Sequence, residues 1–227
     1  MKMSKSIIQQ LDLSLHDTMV LKGVALLLLL CHHIFYEGHD FEDIYIGQIP
    51  LIQTFGMQSK LCVAIFVFLS GYGLTSGAMK SGGILNLFGF YRKRYVKLMV
   101  NFWLIWLLFV PLGVFVFNRT FPEVYGEHYV LRVATDLLGI CSTSSYNPTW
   151  WFYGCIISLY FLFPFLYKII DYWYLLIPFS AVLAFAWTSP PPGINLFNDY
   201  LCSFILGMTM KNIHSSWLRR MVFCHCS

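Results

Sequence analysis

The sequence predicts an all-α, polytopic integral membrane protein with about six transmembrane helices and a cytoplasmic N-terminus. Of its 227 residues, 58% are hydrophobic and only 11% are charged, whereas a soluble domain carries roughly 25% charged residues. The apolar residues are gathered in blocks of membrane-spanning length, and the basic residues are unevenly divided between alternate loops. This composition excludes a nucleic-acid-binding protein, a disulfide-stapled secreted domain and a disordered chain.

Six apolar stretches have close to the ~17–25 residues that a helix needs to cross a bilayer, with five spans as the alternative. The first follows Ser14 and Asp17, whose capping-box spacing predicts a helix start. The spans are expected near residues 19–36, 61–79, 98–117 (interrupted by Pro111), 150–167, 172–187 and 194–210. The resulting organisation is an amphipathic cytoplasmic segment over 1–18, a transmembrane domain over 19–212 and a cytoplasmic tail over 213–227.

The orientation follows from the basic residues. With the N-terminus inside, only Lys60, Arg119 and Arg132 of the fifteen lysines and arginines would lie outside. Cytoplasmic loops of membrane proteins carry just such an excess of basic residues. The net charge of +4 is therefore a signal of sidedness and gives no reason to expect a nucleic-acid partner.

Two local patterns predict how segments pack. Val130, Val133 and Leu137 recur at helical spacing in the loop before the fourth span, which predicts a short helix lying on the membrane interface. Gly73 and Gly77 form a GxxxG pair in the second span, which is typical of close helix–helix packing.

The seven cysteines predict neither a disulfide framework nor a metal site. Most of them lie in apolar segments, where cysteine behaves as a small hydrophobic residue. Cys224, His225 and Cys226 sit together near the C-terminus, but they lack the second ligand pair of a structural zinc site. No metal is expected.

The first span contains two histidines, His32 and His33, and an ionisable residue inside a membrane span suggests function. His33 follows Lys22 by eleven residues, within about 20° of three helical turns, so both lie on one face roughly 16 Å apart. His32 points about 80° away. His33 is expected near the middle of the membrane, with Glu37 one turn beyond it to orient its ring. The alternative is a histidine bonded to a backbone carbonyl or a tyrosine, and a lysine snorkelling to the interface.

A basic cluster, Arg92, Lys93, Arg94 and Lys97, precedes the third span on the predicted cytoplasmic side. Arginine forks suit phosphate oxygens, and Arg94 and Lys97 are one turn apart on a helix. This pattern is typical of a clamp for a phosphate-bearing donor. The positive-inside rule alone, however, accounts for the cluster as a flank that touches lipid headgroups, and on the sequence that interpretation is favoured.

Taken in order, several motifs resemble those of the membrane-bound acyltransferase 3 family. Lysine stands at Lys22 and Lys97, where the family more often has arginine, and Cys155 stands where many members have an acidic residue. The family usually has roughly ten spans against about six here, so the resemblance implies a chain that is C-terminally truncated. The matching stretches are Lys22 with His33, Phe66–Leu74, Arg94–Lys97, Trp151–Pro164 and Phe204–Met208.

The resemblance implies an integral membrane enzyme that moves an acyl group, most simply acetyl, from acyl-CoA to a hydroxyl of a sugar or glycan-lipid acceptor. His33 would be the general base and Glu37 would steer it. The location would be the plasma (inner) membrane, in contact with the lipid bilayer. The residues that would hold the donor's phosphates are Lys22, Arg92, Arg94 and Lys97.

Two other functions stay open from the sequence. One is a transporter or polysaccharide-export component, in which His33 relays protons and proline-kinked spans line a path. The sequence shows no inverted repeat or paired broken helices in its favour. The other is an inactive, truncated acyltransferase.

Overall fold

A computed structural model describes residues 12–36, 42–83, 86–139, 146–186 and 195–223, and these residues are almost wholly helical. Their only β-structure is a short hairpin that pairs β1 (Tyr45–Ile46) with β2 (Ile49–Pro50). The all-α prediction is confirmed. The helices are α1 (Leu15–Phe35), α2 (Leu51–Gln58), α3 (Leu61–Lys80), α4 (Leu87–Phe117), α5 (Phe121–Tyr125), α6 (Tyr129–Leu138), α7 (Trp151–Lys168), α8 (Trp173–Ala186) and α9 (Asn195–Phe223), with 3₁₀ turns at Pro148–Trp150 and Ile170–Tyr172.

Within the described ranges, four stretches are long and apolar enough to cross a membrane, and Ile170–Phe185 is apolar but shorter. The four are Leu15–Phe35, Leu51–Lys80, Leu87–Phe117 and Trp151–Lys168. Leu26 and Leu27 on α1 are 54% and 64% exposed, as suits a helix facing lipid. The chain is thus a multi-pass membrane protein, and the count of six spans stays a prediction.

Two helices begin earlier in the chain than the spans predicted for them. The capping box is confirmed: the Ser14 hydroxyl accepts a hydrogen bond from the Asp17 amide at 3.1 Å, and the Asp17 carboxylate accepts one from the Ser14 amide at 2.9 Å. It starts α1 at Leu15, four residues before the expected span. The third span was expected from residue 98 with an interruption at Pro111. The helix α4 begins earlier, at Leu87, and the start of the span within it stays a prediction. The expected interruption is wrong, because α4 runs unbroken through the proline; neighbouring groups can satisfy the backbone that proline frees in a spanning helix.

The C-terminal boundary at residue 212 falls inside α9, which continues to Phe223. The expected division between transmembrane domain and tail is therefore not marked by a helix end and stays a prediction. Residues 1–11 of the expected N-terminal segment lie outside the described residues. The chain divides into two compact units, with α8 and α9 contributing to both: unit 1 comprises Met1–Lys80, Ile169–Ile177 and Cys202–Ser227, and unit 2 comprises Ser81–Lys168 and Pro178–Leu201.

In unit 1, α3 and α9 pack closely against each other at two glycines, Gly71 and Gly207. A Cβ on Gly71 would lie less than 3 Å from the carbonyl oxygen of Phe204, and a Cβ on Gly207 would lie 3.0 Å from the Tyr72 nitrogen. Gly73 has no atom within 4 Å of a Cβ position, so the predicted packing at this glycine is wrong. The helices cross at Gly71 and Gly207 because small residues let two backbones approach in a membrane.

Unit 2 has an aromatic core between α4, α5, α6 and α7. The hydroxyl of Tyr125, a fully buried residue, donates to the Asp136 carboxylate at 2.9 Å. Phe102 packs edge-on against Trp150, with ring centroids 5.1 Å apart. These contacts hold the segment between α4 and α7 against the spans. The buried core consists of Met99, Phe102, Val110, Tyr125, Tyr146 and Trp150.

The helix predicted in the loop before the fourth span exists as α6, and its C-terminal end contacts α4. Its position on the membrane interface stays a prediction. The Trp103 indole donates to the carbonyl of Leu137 at 2.8 Å, and the Tyr95 hydroxyl donates to that of Leu138 at 2.9 Å. Trp103 lies fourteen residues before the end of α4, or about 21 Å. The last carbonyls of a helix lack intrahelical partners, so these two donors satisfy them where lipid would not.

Candidate active site

His33 and Lys22 lie on one uninterrupted helix, so the predicted eleven-residue relation between them is kept: one face, about 16 Å apart. Lys22 is exposed and His33 is half-buried. His33 is two residues from the C-terminal end of α1, and its expected depth in the membrane stays a prediction.

His32 is held by a backbone contact. Its Nδ1 lies 2.8 Å from the carbonyl oxygen of Gly56 on α2. A carbonyl only accepts, so Nδ1 carries the proton and Nε2 is the acceptor of the neutral ring. The ring also stacks on Tyr36, with centroids 5.2 Å apart. His32 is therefore bonded to a backbone carbonyl, and its ring centroid is 5.5 Å from that of His33. The bonded alternative for His33 itself stays open.

Gly56 makes this joint possible. A Cβ at this position would lie 2.6 Å from the backbone nitrogen of Tyr36, so α2 approaches the end of α1 only because no side chain intervenes. Glu37, one turn beyond His33, lies outside the described residues. Its steering of His33 therefore stays a prediction.

The basic cluster forms one side of a cavity of about 470 Å³, called the cationic cavity below. Arg92, Lys93 and Lys97 all line it, together with Phe88, Gly89 and Val96. The residues are spaced so that they share one face of α4. No carboxylate among the described residues lies within ion-pair distance of the three cations, so the cavity presents positive charge. From the sequence, Lys93 was placed in the basic cluster but not among the residues that would hold the donor's phosphates, although it lies one turn before Lys97.

Arg94 lines a second cavity of about 490 Å³, called the aromatic cavity below. Arg92 lines both cavities. Arg94 and Lys97 are one turn apart on α4, and Lys97 lines the cationic cavity with Arg92 and Lys93. The Arg94 guanidinium lies 6.0 Å from the ring centroid of Phe90. The aromatic cavity is lined by Phe88, Tyr91, Arg92, Arg94, Tyr95, Ile157, Tyr160 and Phe161.

The start of α4 is fixed against α7 by aromatic contacts. The Tyr91 hydroxyl donates to the carbonyl of Phe161 at 3.0 Å, and the two rings stack at 5.6 Å. Phe90 stacks on Phe163 at 5.5 Å. These contacts set which way the cations on α4 point.

The motifs that resemble the acyltransferase 3 family meet in pairs. Within unit 1, the Phe66–Leu74 motif meets the Phe204–Met208 motif at Gly71 and Gly207. Within unit 2, residues just before Arg94 contact the Trp151–Pro164 segment. Each pair thus fixes helices that carry or flank candidate functional residues.

A charged cluster just before α1 had no signal in the sequence. The Asp12 carboxylate accepts hydrogen bonds from the Tyr72 hydroxyl and from Lys211, whose Nζ is 2.5 Å away, and it lies 3.5 Å from His214 Nε2. Burial raises the pKa of Asp12, but the hydrogen bonds from Lys211 and Tyr72 outweigh it and leave the pKa below the usual 3.8. Because Asp12 and Lys211 are in contact, they lie at the same depth relative to the membrane. This is expected if the chain crosses the membrane an even number of times between the two residues.

The fold is helical and multi-pass, with an imidazole near the end of α1 and a group of basic residues near the start of α4. The model of a protein family, the acyltransferase domain Acyl_transf_3, matches residues 16–222 of the chain. The chain therefore belongs to the acyltransferase 3 family, which places it among the membrane-bound O-acyltransferases. Comparison with curated proteins and with solved structures gave no match.

Proposed function

We propose that the protein transfers an acyl group, most simply acetyl, from acyl-CoA to a hydroxyl of a sugar or cell-envelope glycan, in the plasma (inner) membrane. The cationic cavity carries this proposal. Arg92, Lys93 and Lys97 line a common concave space, and charge-assisted bonds from arginine and lysine suit the phosphates of CoA.

Two further cations are assigned to the donor in this proposal. Arg94 lines the aromatic cavity beside Arg92. Lys22 is an exposed cation on α1, in the helix that carries His33. Both are proposed to contribute to donor affinity, and their replacement by alanine would raise the KM for acyl-CoA without lowering the amount of protein in the membrane.

His33 is the proposed general base. Its imidazole takes the proton of the acceptor hydroxyl while the hydroxyl oxygen attacks the thioester carbonyl carbon. The carbon–sulfur bond then breaks, and the departing CoA thiolate takes the proton from the imidazolium. Such general-base assistance is worth about 10²–10⁴-fold in rate. Glu37 is proposed to orient the ring.

The test is transfer of label from acetyl-CoA to glycan in membranes that contain the protein, compared with membranes that lack it. Label should appear in the glycan only with the protein. Absence of label at saturating donor would contradict the proposal.

Lys97→Ala then tests the donor site. Loss of one charge-assisted contact, about 1.5–3 kcal/mol, should raise the KM for acetyl-CoA roughly 10- to 150-fold. Lys168→Ala, at the end of α7 and outside both cavities, should leave that KM unchanged. If Lys97→Ala changes only protein abundance, the basic cluster is a topology signal and no donor site.

A further inference from the structure

The aromatic cavity differs from the cationic cavity in its walls, although the two volumes are similar. Its volume of about 490 Å³ falls in the ~300–1,000 Å³ range of small-molecule sites. Its lining is dominated by the rings of Tyr91, Tyr95, Tyr160 and Phe161, and none of the described lining residues is a carboxylate. It would accept a ligand that is largely flat and apolar but attached to negative charge.

Two of the tyrosine hydroxyls are already used by backbone carbonyls. Tyr91 donates to Phe161 at 3.0 Å, and Tyr95 donates to Leu138 at 2.9 Å. Tyr95 also packs edge-on against Trp103, with centroids 6.5 Å apart. The rings are therefore held in place with their hydroxyls bonded elsewhere. Such walls favour stacking over the hydrogen bonding that a sugar requires.

The two cavities share Phe88 and Arg92. A molecule that joins a planar base to phosphates could place the base against the rings and the phosphates against the cations. The acyl chain of the donor would fit the apolar walls, but it would give Arg92 and Arg94 no anionic partner. Charge complementarity therefore favours the nucleotide end of the donor.

We propose that the aromatic cavity binds the adenine base of the acyl-CoA donor, by stacking on its aromatic walls. This rests on the proposed function, and it adds which part of the donor the enzyme recognises at this place. Stacking of a base on an aromatic side chain is worth about 1–3 kcal/mol.

The experiment combines a change in the cavity with a change in the donor. Phe161→Ala removes a ring but keeps the backbone carbonyl that Tyr91 bonds. The donors are acetyl-CoA and acetyl-phosphopantetheine, which lacks the adenosine. Phe165→Ala is the matched control, because Phe165 lies one turn further along α7, outside the lining, with an exposure of 56% against 61%.

Phe161→Ala should raise the KM for acetyl-CoA about 5- to 150-fold and leave the KM for acetyl-phosphopantetheine unchanged. Phe165→Ala should change neither. An equal change with both donors would overturn the proposal, because the lost ring would then act independently of the base. A change that depends on acyl chain length, measured with palmitoyl-CoA, and not on the adenosine would overturn it in favour of an acyl-chain site.

Binding of adenosine 3′,5′-bisphosphate to the purified protein separates this proposal from the proposed function. Binding that Phe161→Ala weakens and Phe165→Ala does not, without any transfer of label, would support the base site and contradict the acyl-transfer activity. Transfer by the wild-type protein, with no effect of Phe161→Ala on bisphosphate binding, would contradict only the base site.

Discussion

Gly71→Ala gives a direct test of how α3 and α9 pack. The new Cβ would lie less than 3 Å from the carbonyl oxygen of Phe204, where ordinary contact begins at 3.4 Å. The obstacle is backbone and cannot rotate away, so the helices must separate by about 0.5 Å or more. Overpacking of this kind costs about 1–3 kcal/mol, and a gap of 0.5–1 Å forfeits a quarter to a half of each lost dispersion contact.

Gly73→Ala is the matched control, because no atom lies within 4 Å of its Cβ position. Both variants gain the same helix propensity of about 1 kcal/mol, so the difference between them isolates the clash. A difference of 2 kcal/mol corresponds to a melting temperature about 4–8 °C lower for Gly71→Ala. Thermal unfolding in detergent, followed by tryptophan fluorescence, measures it. Equal melting temperatures for the two variants would refute the glycine contact.

Three further predictions concern single contacts. Gly56→Ala puts a Cβ 2.6 Å from the Tyr36 nitrogen and should lower the kcat of acyl transfer about 10²-fold by displacing the end of α1; an unchanged kcat at equal protein abundance would contradict it. The lowered pKa of Asp12 stabilises the fold above the usual 3.8, and that contribution is lost as pH falls through the lower folded-state pKa. Asp12→Asn should therefore lower the melting temperature at pH 7 but not at pH 2, and an equal loss at both pH values would contradict the charge cluster. Tyr125→Phe removes a bond to the buried Asp136 carboxylate and should lower the free energy of unfolding by about 1–3 kcal/mol, as denaturant titration would show.

Features set by local periodicity could be predicted from the sequence. The helical, membrane-spanning class follows from apolar blocks, and the capping box at Ser14 and Asp17 follows from spacing. The relation between Lys22 and His33 needs only a continuous helix. Each of these depends on neighbours within a few turns of the chain.

Features set by the contact of distant helices could not be predicted. Gly71 and Gly73 look alike in sequence, and only the position of α9 decides which of them packs. The partition of Arg94 and Lys97 between two cavities depends on how α4 is rotated against α7. The bond between Asp12 and Lys211 joins residues 199 positions apart, and no local pattern connects them.

The role of His33 is the central chemical claim, and its adjacent histidine provides the control. The decisive measurement is the kcat of acetyl transfer for His33→Ala and His32→Asn at equal protein abundance. Asparagine can keep a donor near the Gly56 carbonyl, so His32→Asn should retain most of the activity. His33→Ala should lose about 10²–10⁴-fold. Activity that survives His33→Ala, or falls equally in both variants, would show that His33 is not the base.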